Sequence, residues 1–131
     1  MKAFLLTSRM SASMTLDEYF EGAQASRPLF ETLRTMLESL GAVELRVTKS
    51  QVAFRRRKAF AWAWVPGKYL HRKVAPLVLT VALTRQDPSP RWKQVVEPVP
   101  GHFTHHLEVN NAGDIDQEVK NWLQEAWMEA A

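Results

Sequence analysis

A chain of 131 residues and 15.0 kDa has room for one domain, and its 46% apolar and 24% charged residues exclude a disordered tail or low-complexity linker. No apolar run approaches the roughly 18 residues that cross a bilayer, and Ala3-Phe4-Leu5-Leu6 is too short for a signal peptide. The absence of cysteine excludes disulfides, thiolate metal sites and a cysteine nucleophile together. The expectation is a single cytoplasmic domain with no membrane partner and no cofactor.

In chain order, Thr15-Leu16-Asp17-Glu18 reads as a capping box that starts a short helix over Leu16–Glu21, ended by Gly22. Ser26 and Pro28 mark a second start, and Gly41 suits the position past its end. Between them Leu29, Phe30, Leu33, Met36, Leu37 and Leu40 recur at helical spacing. The period then falls to two. Val43, Leu45 and Val47 alternate with polar residues, as do Val52 and Phe54. Phe60, Trp62 and Trp64 alternate with Ala59, Ala61 and Ala63, which predicts a hairpin whose turn is Arg55-Arg56-Arg57-Lys58. Pro66-Gly67 ends it. Val74–Leu83 is a further strand, Asp87–Pro90 and Pro98–Gly101 are loops, and His102–Val109 is the last strand. Asp114 is the expected cap of a final helix, with Gln117 completing a capping box and Ile115, Val119, Trp122, Leu123, Ala126 and Trp127 as its buried stripe.

Short connections favour an antiparallel meander, and the helices must bury their stripes against it. The prediction is a single two-layer α+β domain over residues 15–131. Its sheet has four or five mostly antiparallel strands, with N-terminal and C-terminal helices on one face. Residues 1–14 form an N-terminal segment in which Ala3–Thr7 can add an edge strand. The large residues Phe54, Phe60, Trp62, Trp64, Leu77, Leu79 and Val81 are the predicted core face. Ala53, Ala59, Ala61, Ala63, Thr80, Ala82 and Thr84 form the opposite one.

The net charge of +3 hides an asymmetry. Residues 45–86 hold ten basic residues and no acid, while the remainder holds seven basic and fourteen acidic residues. Four consecutive cations repel one another, and phosphates relieve that repulsion through bidentate arginine contacts and counterion release. Arg55, Arg56, Arg57 and Lys58 are therefore candidate anion-binding residues, supported by Lys49, Arg72 and Lys73, with nucleic acid the first partner considered. A solvated turn that blunts edge pairing also uses such cations. With Trp62 and Trp64 on the core face, base stacking beside the turn is not expected. The Ala/Thr face offers a different function, self-association as a homodimer or docking of another protein. His106 and Glu108 share one face of their strand and can be joined by His102 as metal ligands, a third and more distant reading. His105 points the other way, as a core residue does. No glycine-flanked serine or phosphate-binding loop is present, so no catalytic residue is assigned.

Val47-Thr48-Lys49-Ser50-Gln51-Val52-Ala53-Phe54-Arg55-Arg56 followed by Phe60-Ala61 resembles the central motif of a small family numbered 5655 among the domains of unknown function. Gly101-His102-Phe103 and the closing helix from Ile115 to Trp127 are similar to later parts of the same pattern, so the resemblance spans roughly residues 15–130. It implies a helix-plus-sheet fold that stands alone or follows a predicted nuclease domain, an association with nucleic acid and no more. The family also resembles YdhG-like domains, some of which are described as iron chaperones, but the basic middle of this chain has the wrong sign for an acidic iron site.

Overall fold

The computed structural model describes residues 13–68 and 73–131. The edge strand predicted over Ala3–Thr7 and the candidate Arg72 lie outside the described residues. Among the described residues three helices, α1 (Leu16–Tyr19), α2 (Arg27–Glu38) and α3 (Gln117–Glu129), accompany six strands. The strands are β1 (Glu44–Val47), β2 (Val52–Arg55), β3 (Ala59–Trp64), β4 (Leu77–Leu83), β5 (Gln94–Val99) and β6 (His102–Val109). They form one sheet in the order β1-β2-β3-β4-β6-β5, and every pairing is antiparallel. The domain is α+β, as the sequence predicts.

The strand count among the described residues is six rather than four or five because Gln94–Val99 pairs with β6. Pro98 hides this strand in the sequence. It is tolerated because β5 is an edge, where a missing N–H costs no ladder bond. β6 inserts between β4 and β5, so the meander is broken after β4.

Caps follow the sequence in part. Thr15 and Glu18 exchange both capping-box bonds. Ser26 precedes α2 without capping it, and its hydroxyl donates instead to the Pro76 carbonyl. α3 is capped by Asp116, whose Oδ1 accepts the Val119 N–H at 3.1 Å. Asp114, the predicted cap, instead completes a capping box with Asn111 on the 3₁₀ turn Ala112–Asp114. Gly41 is required by contact. Its φ is +149°, and a Cβ there would lie 2.5 Å from Cζ2 of Trp127. The Trp127 indole N–H donates to the neighbouring Ala42 carbonyl.

The core lies between the helices and one face of the sheet. Leu29, Phe30, Leu33 and Leu37 of α2 and Val119, Trp122, Leu123 and Ala126 of α3 meet Val52, Phe54, Leu77, Leu79, Val81 and Leu107. Each such side chain contributes about 1.5–3 kcal/mol by leaving water. Phe30 stacks on Phe54 with ring centroids 5.8 Å apart.

The predicted facing of β3 is wrong. Ala61 and Ala63 pair with Phe54 and Val52 on one side and with Val81 and Leu79 on the other, and both are fully buried. Trp62 and Trp64 therefore point to the opposite, open face, where they are partly exposed. The cause is a bulge. Phe54 pairs with Ala61 but Arg55 pairs with Ala59, so Phe60 is the extra residue and joins the core beside Ala61. The helices supply bulk to the inner layer, and β3 answers with alanines where they come close.

Candidate functional site

The open face can be read row by row from the register. One row runs Arg46, Ala53, Trp62, Thr80, His106, Gln94, from one edge of the sheet to the other. The next runs Trp64, Val78, Glu108. Ala53, Val78 and Thr80 are buried between the larger residues. Thus the predicted Ala/Thr face is instead a face with two tryptophans at its centre.

Polar groups on this face are joined. The Trp64 indole N–H donates to Thr80 Oγ1 at 3.3 Å, and Thr80 Oγ1 lies 2.8 Å from His106 Nδ1. Lys93 Nζ donates to Glu108 Oε2 at 2.9 Å. Burial, and then the charge of His105, holds the His106 imidazole below the usual histidine range.

His106 and Glu108 share the open face, as the sequence predicts. His102 lies four residues from His106, roughly 13 Å along the strand. Among the described residues no group of three or more His, Asp or Glu side chains could hold a metal ion. His105 lies in the core, as its position in the strand predicts. Its Nε2 accepts the Asp87 backbone N–H at 3.0 Å, and its Nδ1 lies 3.2 Å from the Val81 carbonyl.

The antiparallel order sorts the candidate cations into two groups. Arg55, Arg56, Arg57 and Lys58 occupy the β2–β3 end of the sheet. Lys49 in the β1–β2 turn and Lys73 before β4 lie at the other end. The seven residues of β4 separate the ends by roughly 20 Å. Trp62 and Trp64 stand between the two groups.

Arg56 has a structural task. Its guanidinium carbon sits 3.6 Å from the centre of the Trp127 ring, and its Nη1 donates to the Trp127 carbonyl at 3.2 Å. The Arg57 backbone N–H donates to the Ala130 carbonyl. α3 has no basic residue in its own last turn, so the β2–β3 turn supplies the cation that its C-terminal carbonyls favour.

The remaining arginines divide sharply. Arg27, Arg34, Arg85 and Arg91 each lie within 4.0 Å of at least one carboxylate. Arg46, Arg55, Arg56 and Arg57 have no carboxylate partner among the described residues. All four lie on β1, β2 or the turn after it. Arg46 was not singled out by the sequence, where only its register opposite Ala53 and Trp62 would have marked it.

The model of a family described as Domain of unknown function (DUF5655) matches residues 16–130. No significantly similar curated protein or solved structure was found, and the likeness to YdhG-like domains gains no support. The match covers most of the chain, which therefore belongs to the DUF5655 family.

Proposed function

We propose that this domain is a non-enzymatic binding module for single-stranded nucleic acid, held across the open face of the sheet. The observation that carries this reading is the division of the arginines. The fold neutralises those of α2 and of the loop after β4 and leaves those of β1, β2 and the β2–β3 turn with no carboxylate within 4.0 Å among the described residues. Glu44 stands opposite Arg55 in the register without forming an ion pair with it. Arg55, Arg57 and Lys58 would take phosphates at one end, Arg46 in the row of Ala53 and Trp62, and Lys73 at the other end. Trp62 and Trp64 would stack bases between them, since the bulge at Phe60 turns them outward. Arg56 contributes mainly by holding the turn on α3.

The test is fluorescence anisotropy with labelled 12-nucleotide single and double strands at 50 and 150 mM salt. Single strands are expected to bind at 150 mM, and Trp62→Ala to weaken them by about five- to a hundredfold, the range of one base–aromatic stack. Binding confined to 50 mM salt, or untouched by Trp62→Ala, would overturn the reading.

A further inference from the structure

Beside Trp64 the open face sinks into a cavity of about 150 Å³, lined by Trp64, Val78, Lys93, Gln94, His106 and Glu108 among others. A cavity of about this size accepts one aromatic ring such as benzene and falls short of the roughly 300 Å³ at which drug-sized pockets begin. Its walls are an indole and aliphatic side chains, and Lys93, Gln94, His106 and Glu108 supply its polar groups.

A chain of hydrogen bonds runs from Trp64 through Thr80 to His106. An indole N–H can only donate, so Thr80 Oγ1 accepts from Trp64. A hydroxyl oxygen has two lone pairs as well as a proton, so it can donate to His106 Nδ1, 2.8 Å away, or accept from it. His106 Nε2 has no partner among the described residues, and in the neutral ring it takes the role opposite to that of Nδ1. Glu108 uses Oε2 for Lys93 and keeps Oε1 as an acceptor. The cavity therefore offers the Glu108 carboxylate as an acceptor and the Lys93 ammonium as a donor, with His106 Nε2 and the Gln94 amide beside them.

We infer that this cavity is a base pocket selective for cytosine, an inference that rests on the single-strand reading of the open face. Cytosine is a single ring whose exocyclic amine, a donor, sits beside an acceptor ring nitrogen, the complement of the Glu108 carboxylate beside the Lys93 ammonium. A carboxylate accepts from that amine. Uracil and thymine place a carbonyl oxygen where cytosine has the amine, against Glu108. Purines add a second ring to a space of single-ring size.

The experiment uses the full chain and four labelled 12-nucleotide thymidine-background strands carrying C, T, A or G at the centre, at 150 mM salt. The C-containing strand is expected to bind about tenfold or more tightly than the all-T strand. Glu108→Ala is expected to erase that preference, with all-T bound at least as tightly as by the wild-type chain, because the carboxylate that opposes its carbonyl is gone and Lys93 is released. Equal binding of all four strands by the wild-type chain, or preference for a purine, would overturn the pocket and leave the interface standing. Failure to bind any strand would remove the interface and the pocket with it. Because the preference is read first on the wild-type chain, a poorly folded variant does not rescue the inference.

Discussion

The two faces of the sheet can be compared on β6, where neighbouring histidines point in opposite directions. His105 faces the helices, is fully buried, packs 4.9 Å from Trp92 and has a partner for each ring nitrogen. His106 faces outward, uses Nδ1 for Thr80 and leaves Nε2 at a cavity. Around His105 the polar groups close on themselves. Asp87 accepts from the Trp92 indole at 2.9 Å, the Ser89 N–H and Arg85. Burial works against the Asp87 charge, but these hydrogen bonds outweigh it and hold its carboxyl below the usual range. The inner face thus closes its polar groups because water cannot reach them. The outer face leaves donors, acceptors and rings available to a ligand.

The comparison breaks most visibly in stability. Phe54→Ala is expected to cost about 3–5 kcal/mol by urea denaturation, since it empties a fully buried site against Phe30. Trp62→Ala, on the outer face, should cost about 1–2 kcal/mol because the ring is only partly removed from water. Comparable losses would show that the outer face is packed as a core. Gly41→Ala should cost about 1–3 kcal/mol, because the new methyl collides with Trp127 at a φ that favours glycine. A neutral result would mean that Trp127 is not fixed there.

Acid should act through the histidines first. Burial holds His105 below its ordinary value of 6.5, and His106 shifts the same way. The unfolded chain therefore takes up the protons more readily, so stability is complete above about pH 6.5 and falls as pH drops below it. Asp87, Asp116 and Glu125 are held low, so their contribution is present above their ordinary values of 3.8 and 4.5 and is lost at lower pH. Urea midpoints at pH 7.5 and 5 isolate the histidines, and a flat profile between them would contradict the burial of His105. The smallest effects belong to the turn. Arg56→Ala should cost about 1 kcal/mol through lost contact with Trp127 and the end of α3. Arg57→Ala should lie within about 0.5 kcal/mol of wild type in the same denaturation assay.

Much of the fold was legible because it rests on period and punctuation. The alternation of Val52 and Phe54, the Thr15–Glu18 box and the stripe of α2 each specify their element locally. What escaped depends on long-range partners. The facing of Trp62 and Trp64 is set by one bulged residue, Phe60, and by helices arriving from both ends of the chain, so size alone assigned them to the wrong side. β5 was concealed by Pro98, whose tolerance depends on the strand being an edge. The basic turn was visible as charge, but only the structure divides it into Arg56, committed to α3, and Arg55 and Arg57, which are not. The cavity beside Trp64 draws its donors and acceptors from β3, β6 and the start of β5, and no spacing in the sequence joins them.

The central claim is that the arginines without carboxylates hold phosphates. Its most direct test is the salt dependence of single-strand binding by wild type and by the Arg55→Ala/Arg57→Ala double variant. Each phosphate contact on a single strand contributes about 0.7 to the slope of log K against log salt. The double variant should therefore bind more weakly, with a slope shallower by about 1.4. An unchanged slope, whatever the affinity, would contradict the account.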